Sequence, residues 1–267
     1  MKHINPTEQD VPTLIQEITS QIRSRVLLAR YQDSIFGIEQ AKRLYIYQMT
    51  TQMEEIDSIK HQFFGKCLPA SENELKKLYK DHFVKSRYYG EIIQNTEWCP
   101  YCEVRPVKTL DHFLPQRYAA LTIVSQNLIP ACRDCNTEKR AKEGLIFHPY
   151  YDQIDWQSWL SVHLEFTNKI IPTYRCIKNQ SLPEALFKRV KSTAEYLDLM
   201  ELYQRYANSE IQENMDNWNV YLRSDRSILE KTFANCISQS THCWKGALYQ
   251  GLQSQLNELC IFLSEGF

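Results

Sequence analysis

Glycine is scarce, with 7 in 267 residues, too few for the many tight turns of a β-rich fold. The first residues, Met1-Lys-His-Ile-Asn-Pro-Thr-Glu, contain no apolar signal core, and no long uncharged apolar run follows. A cytoplasmic location is therefore expected. Charge of one sign is also lacking: 31 Lys and Arg face 32 Asp and Glu, a formal net charge of −1. That balance is unusual for a free-standing nucleic-acid binder, whose affinity rests on neutralising phosphates. There is no internal repeat, no low-complexity segment and no Gly/Ser-rich linker, so one body rather than separate domains is expected.

What remains is a globular composition, 43% hydrophobic and 24% charged, long enough for a substantial core. Ile15, Ile18, Ile22 and Val26 predict an amphipathic helix over 12–31, with Asp10 near its start and Pro12 in its first turn. A second stripe, Ile35, Ile38, Tyr45, Met49, Met53 and Ile56, predicts another over 34–62, followed by a break at Gly65-Lys-Cys-Leu-Pro69. Ser71 and Glu74 form a capping box opening a helix that carries Leu75, Leu78, Tyr79 and Phe83. Residues 96–152 change character, with five prolines, clustered cysteines and little helical period before Asn136. Val162, Leu164 and Phe166, then Ile170 to Tyr174, read as a short strand pair. Leu186, Val190, Ala194, Leu197 and Met200 share a helical face, and two further helices are expected around 208–223 and 226–264.

The strongest signal lies in four of the nine cysteines. Cys99-Pro-Tyr-Cys102 and Cys132-Arg-Asp-Cys135 are two CxxC pairs separated by 29 residues, room for a hairpin between two zinc knuckles. Four thiolates close a structural Zn²⁺ site and leave no position open for catalysis. Cys67, Cys176, Cys236, Cys243 and Cys260 lack such spacing and read as reduced thiols.

Between the pairs sit Asp111-His112, at the end of a candidate strand from Val107. Adjacent strand residues face opposite ways, so serving one phosphate together requires the chain to leave regular geometry there, and Pro115 is placed to end pairing. Asp111 and Asn136 offer oxygen ligands suited to Mg²⁺. His112 then remains as a base, because imidazole titrates near neutrality. If a helix begins near Cys135, Asn136, Lys139 and Arg140 share a face fit for a phosphate, and Gly144 is placed to end that helix. Alone, Asn136 would be a cap and the Lys/Arg pair a solvated one. Asn127 suits pinning the loop after His112 by side-chain hydrogen bonds. Residues 99–142 hold seven Lys/Arg against four Asp/Glu; the resulting +3 falls to +1 once four thiolates and one Zn²⁺ are counted. Such a segment grips phosphates weakly by itself, so something else is expected to present the substrate.

Asp-His-x-x-Pro, then Asn-Leu, then Cys-x-x-Cys-Asn-x-x-Lys resembles an HNH endonuclease of the zinc-stabilised ββα-metal type, over residues 97–143. The resemblance implies His112 as general base, Asp111 and Asn136 as ligands of a catalytic Mg²⁺ or Mn²⁺, and Asn127 as the middle Asn of the motif. Trp98-Cys-Pro-Tyr-Cys, Leu110-Asp-His-Phe-Leu-Pro, Asn127-Leu-Ile-Pro-Ala-Cys and Phe147-His-Pro-Tyr-Tyr-Asp152 are similar to the PtuB nuclease subunits of Septu-type antiphage systems, which also occur with some retrons. That family works with an ABC/SMC-like ATPase (PtuA-like), which the resemblance implies as partner. His148 belongs to this motif, as a packing residue or as a nucleic-acid contact.

The expected fold is mainly α with a small embedded α+β HNH module. A helical region spans 1–95, the module with its four-cysteine zinc site 96–152, and a strand pair with C-terminal helices 153–267. The expected activity is metal-dependent hydrolysis of nucleic-acid phosphodiesters, DNA first, in antiviral defence. The alternatives are a non-catalytic zinc-ribbon binding or adaptor module and a nuclease acting on RNA such as tRNA.

Overall fold

A computed structural model describes residues 1–51, 68–140 and 146–265. Met53, Ile56, Gly65, Cys67 and Gly144 lie outside the described residues. The chain is mainly helical with two small antiparallel sheets, and it forms two compact units. One comprises His3–Tyr101 and Arg105–Gln153; the other comprises Met1–Lys2, Cys102–Val104 and Ile154–Phe267. The N-terminal helices and most of the cysteine-rich segment thus fold together.

In the first unit, α1 (Val11–Ile18) starts at Asp10, whose carboxylate accepts from the Thr13 backbone N–H. It ends far short of the helix expected over 12–31. Thr19 turns its hydroxyl back onto the Ile15 carbonyl, and Ser24 caps a new helix, α2 (Arg25–Asp33), by accepting from the Leu27 N–H. Such side-chain bonds compete with helix continuation, and Val26, assigned to the buried stripe, is 67% exposed. α3 (Ile35–Thr51) buries Ile38, Tyr45 and Met49. α4 (Glu72–Asp81) opens on the complete Ser71–Glu74 capping box and buries Leu75 and Leu78. α5 (Arg87–Ile93) packs on both strands of the first sheet, while α3 and α4 pack on the short turn Ala119–Leu121.

That sheet pairs β1 (Thr109–His112) with β2 (Leu128–Ala131), in the register Asp111↔Ile129 and His112↔Leu128. α6 (Arg133–Lys139) follows β2 directly, giving the order strand, strand, helix.

The second unit is built on a longer hairpin, β3 (Leu160–Phe166) and β4 (Ile170–Cys176), paired along all seven residues. It is followed by α7 (Glu184–Tyr196), α8 (Leu199–Ser224), α9 (Arg226–Gln239), α10 (Cys243–Ser254) and α11 (Leu256–Glu265). The single helix expected over 226–264 is therefore three. Ser240 breaks it by bonding the His242 carbonyl, and Gln255 breaks it again, its side chain bonding both the N–H and the carbonyl of Leu164. β3 lies against α10 so closely that a Cβ at Gly251 would sit 2.6 Å from Val162 Cγ1. Trp218, Phe233 and Tyr249 form the aromatic core between α8, α9 and α10. Among the described residues, no helix is long and apolar enough to cross a membrane.

Candidate functional site

The two CxxC pairs converge. The sulfurs of Cys99, Cys102, Cys132 and Cys135 lie within 4.8 Å of one another, and all four residues are buried. Zn–S bonds of about 2.3 Å in a tetrahedron place sulfurs roughly 3.8 Å apart, so the donor set fits a zinc ion. The first pair sits on a tight turn held by the Trp98–Pro106 bridge and the bond from Cys99 N–H to the Arg105 carbonyl, 2.9 Å. Glu103 accommodates the turn at φ +54°. At the second pair, Cys132 caps α6 and its sulfur accepts from the Cys135 N–H at 3.4 Å. No disulfide joins the described cysteines. Burial pushes the Cys243 thiol up to about 12 and the Cys176 thiol up to about 11, so both stay protonated and unreactive at neutral pH.

Asp111 and His112 do not leave regular geometry: both stay within the β1–β2 ladder. They nevertheless line one open cavity of about 450 Å³ at the end of the strand. Asn136, Pro115, Gln116 and three cations, Lys76, Arg117 and Arg140, complete its wall.

Asp111 is 1% exposed. Its Oδ2 accepts from the Tyr101 hydroxyl at 2.9 Å, and Lys139 Nζ lies 3.2 Å from Oδ1 and 3.1 Å from Oδ2. Burial and the neighbouring carboxylate hold the Tyr101 phenol well above its ordinary value, so it remains a donor. Lys139 also donates to the carbonyls of His112 (3.1 Å) and Phe113 (3.2 Å). An ammonium has three protons to give, and all three are engaged. With Lys139 1% exposed, its place is a buried counter-ion under the hairpin rather than the solvent-facing phosphate contact expected for it.

His112 presents Nε2 to the Thr122 carbonyl at 2.9 Å. A carbonyl only accepts, so Nε2 carries the proton and Nδ1 is left with a lone pair. Tyr79 meets the ring edge-on at 4.6 Å. Burial lowers the imidazole to about 4, with the Thr122 carbonyl and Asp111 opposing. The ring is therefore neutral at pH 7 and free to accept a proton, but as a weaker base than the near-neutral imidazole expected from the sequence.

Asn127 is fully buried. Its Oδ1 accepts from the Leu114 N–H at 2.8 Å, and its Nδ2 donates to the carbonyls of Leu114 (3.0 Å) and Leu121 (3.3 Å). Three bonds pin the loop after His112 from both ends. Asn136 lies within α6, which begins at Arg133, close to the start expected near Cys135. Its Nδ2 donates to Thr109 Oγ1 (2.6 Å) and to the Leu110 carbonyl (3.3 Å), which leaves the amide oxygen as its remaining acceptor. Arg140 is past the helix, at φ +49°, so it reaches the cavity from the helix end rather than from a shared helical face. His148 is 0% exposed, with Nδ1 accepting from the Tyr150 N–H, Nε2 bonding the Tyr45 hydroxyl, and its ring 3.9 Å from that of Phe113. It packs the core behind the hairpin and does not meet solvent.

Sequence reasoning missed Lys76, Arg117, Tyr101 and Thr122. Lys76 comes from α4, far from the motif, and only its place in the fold brings it to the cavity. Among the described residues, the four cysteines form the one cluster of three or more His, Cys, Asp or Glu side chains. Asp111 and Asn136 offer two hard oxygens beside an open cavity. Both oxygens of Asp111 already face Lys139 Nζ, and Oδ2 also accepts from Tyr101, so its charge is shared within the protein.

The chain is similar to Protein ea31 of Escherichia phage lambda, 30% identical over 94 residues, which is 30% of this chain and 32% of that protein. The chain thus spans about a third of the length of the curated relative it matches. No described protein family matches it, and no solved structure does.

Proposed function

We propose that this chain is a metal-dependent endonuclease of the HNH type that hydrolyses nucleic-acid phosphodiester bonds. One observation carries the reading: His112, Asp111 and Asn136 line a single open cavity ringed by Lys76, Arg117 and Arg140. His112 Nδ1 takes a proton from the attacking water. Asp111 and Asn136 would hold the divalent ion, Mg²⁺ or Mn²⁺, which when bound would stabilise charge developing at the phosphate and the leaving 3′-oxygen. Arg140 and Arg117 hold flanking phosphates, contacts that position a strand without reading its bases, so cleavage is indifferent to sequence. The zinc ion bound by the four cysteines holds the knuckles from which the hairpin and α6 spring.

DNA is the proposed substrate and the cytoplasm the proposed location. A near-neutral chain depends on a partner to present substrate, and an ABC/SMC-like ATPase of the kind found with Septu nucleases is that proposed partner. Incubating the protein with plasmid, single-stranded DNA and RNA, with Mg²⁺, Mn²⁺ or EDTA and with the neighbouring operon product, tests all of this. Nicking of DNA in Mg²⁺ or Mn²⁺ and none in EDTA is expected.

A non-catalytic zinc module is the second reading, favoured by one observation: Lys139 already neutralises the Asp111 carboxylate. It requires that no divalent ion elicit cleavage of any of the three substrates, with or without the operon product.

A further inference from the structure

A second cavity, of about 460 Å³, adjoins the first and shares Lys76 and Gln116 with it. Its remaining wall includes Asn73, Lys77, Tyr79 and Lys80. Asn73, Lys76, Lys77 and Lys80 stand at i, i+3, i+4 and i+7 of α4, which places them on one helical face. Leu75 and Leu78 occupy the buried face. At 1.5 Å per residue, the face runs about 6 Å along the helix from Lys76, which also lines the His112 cavity, to Lys80. Three ammonium groups line the second cavity, and among the described residues no carboxylate does. Lys76 has an i,i+4 partner in Glu72. Lys77 and Lys80 are exposed and make no ion pair among the described residues. Tyr79, in the wall of the second cavity, stacks on Phe83 and meets edge-on the ring of His112, which lines the first.

We propose that this face of α4 is the track along which a nucleic-acid strand leaves the cleavage cavity, its backbone phosphates held by Lys76, Lys77 and Lys80. The inference rests on the endonuclease reading for the direction of the strand, but its own basis is charge and position. An overall charge of −1 leaves little non-specific attraction, so a local cluster of cations continuous with the candidate active site dominates phosphate binding. Lysines act there as point charges without reading bases.

The test uses the full chain carrying His112→Ala, so that a fluorescein-labelled DNA oligonucleotide is bound and not cut. Affinity is measured by anisotropy between about 50 and 200 mM salt, a range in which phosphate contacts dominate the trend. Adding Lys77→Ala and Lys80→Ala is expected to weaken binding several-fold at the lowest salt. It should also flatten the slope of log K against log salt by about 1.4–1.8, two phosphate contacts' worth. Lys77→Arg with Lys80→Arg should restore the slope, and Lys188→Ala with Lys191→Ala on α7 should leave it alone. All variants must keep wild-type zinc content and unfolding temperature. An unchanged slope overturns the track, as does a parent that binds no DNA. If the wild type cleaves DNA while the slope is unchanged, only the track falls. If the slope flattens while no cleavage is found under any condition, the track stands and the endonuclease reading falls.

Discussion

The two β-hairpins of this chain are stabilised by different physics. β3–β4 is seven residues a side and rests on apolar burial, with Leu164 at 1% exposure and Val162 pressed against Gly251 of α10. β1–β2 is four residues a side, too short to hold by itself, and it presents a carboxylate and an imidazole where the other hairpin presents valine and leucine. Its rigidity comes from outside the ladder: the sulfur cluster, the buried Lys139–Asp111 pair and the three bonds of Asn127. Leu110, Leu128, Ile129 and Ala131 bury apolar surface here too, so the sulfur cluster and the ionic pair add to hydrophobic anchoring rather than replace it.

Removing those anchors should break the contrast. Cys132→Ser with Cys135→Ser deletes half the four-cysteine cluster, and a zinc ion held there would contribute on the order of 10 kcal/mol, as in small metal-stabilised folds. The unit carrying His112 should then lose its cooperative unfolding transition and its zinc, while amide exchange in β3–β4 stays slow.

Lys139→Met is the next largest. It strands Asp111 as a buried unpaired charge and should cost about 3–5 kcal/mol in chemical denaturation. Asp111→Ala strands Lys139 in the same way, so it is not a clean probe of metal binding. Removing both partners with apolar residues should recover much of the loss.

Leu164→Ala probes the other hairpin, where only apolar contact is lost, at about 2–5 kcal/mol. Zinc content should not change. Ser71→Ala sharpens the comparison at the small end: removing the α4 cap should cost about 1 kcal/mol, read as a modest shift of the thermal midpoint without loss of metal.

These anchors were unequally legible in the amino-acid sequence. CxxC spacing announces itself, and so does the Ser71–Glu74 capping box, because both are short-range patterns with one dominant reading. The strand pair near 162–174 was visible in its alternation. Helix boundaries at 19–24 and at Ser240 were not, since apolar periodicity runs through them while local side-chain bonds end the helices. Lys139 illustrates the deeper limit. Next to Arg140 and after Asn136 it looks like a phosphate contact, and only the fold shows that its ammonium turns inward beneath Asp111 and two carbonyls. Lys76 reaches the cavity from outside the motif, a juxtaposition no spacing encodes.

Cleavage by His112→Ala, measured beside its zinc content, tests the central claim most directly. A general base contributes about 10²- to 10⁴-fold, so the variant should keep one zinc per chain and its unfolding transition while Mg²⁺-dependent DNA cleavage falls by about a hundredfold or more. A zinc-loaded, folded His112→Ala protein that cuts DNA as fast as wild type would contradict the account.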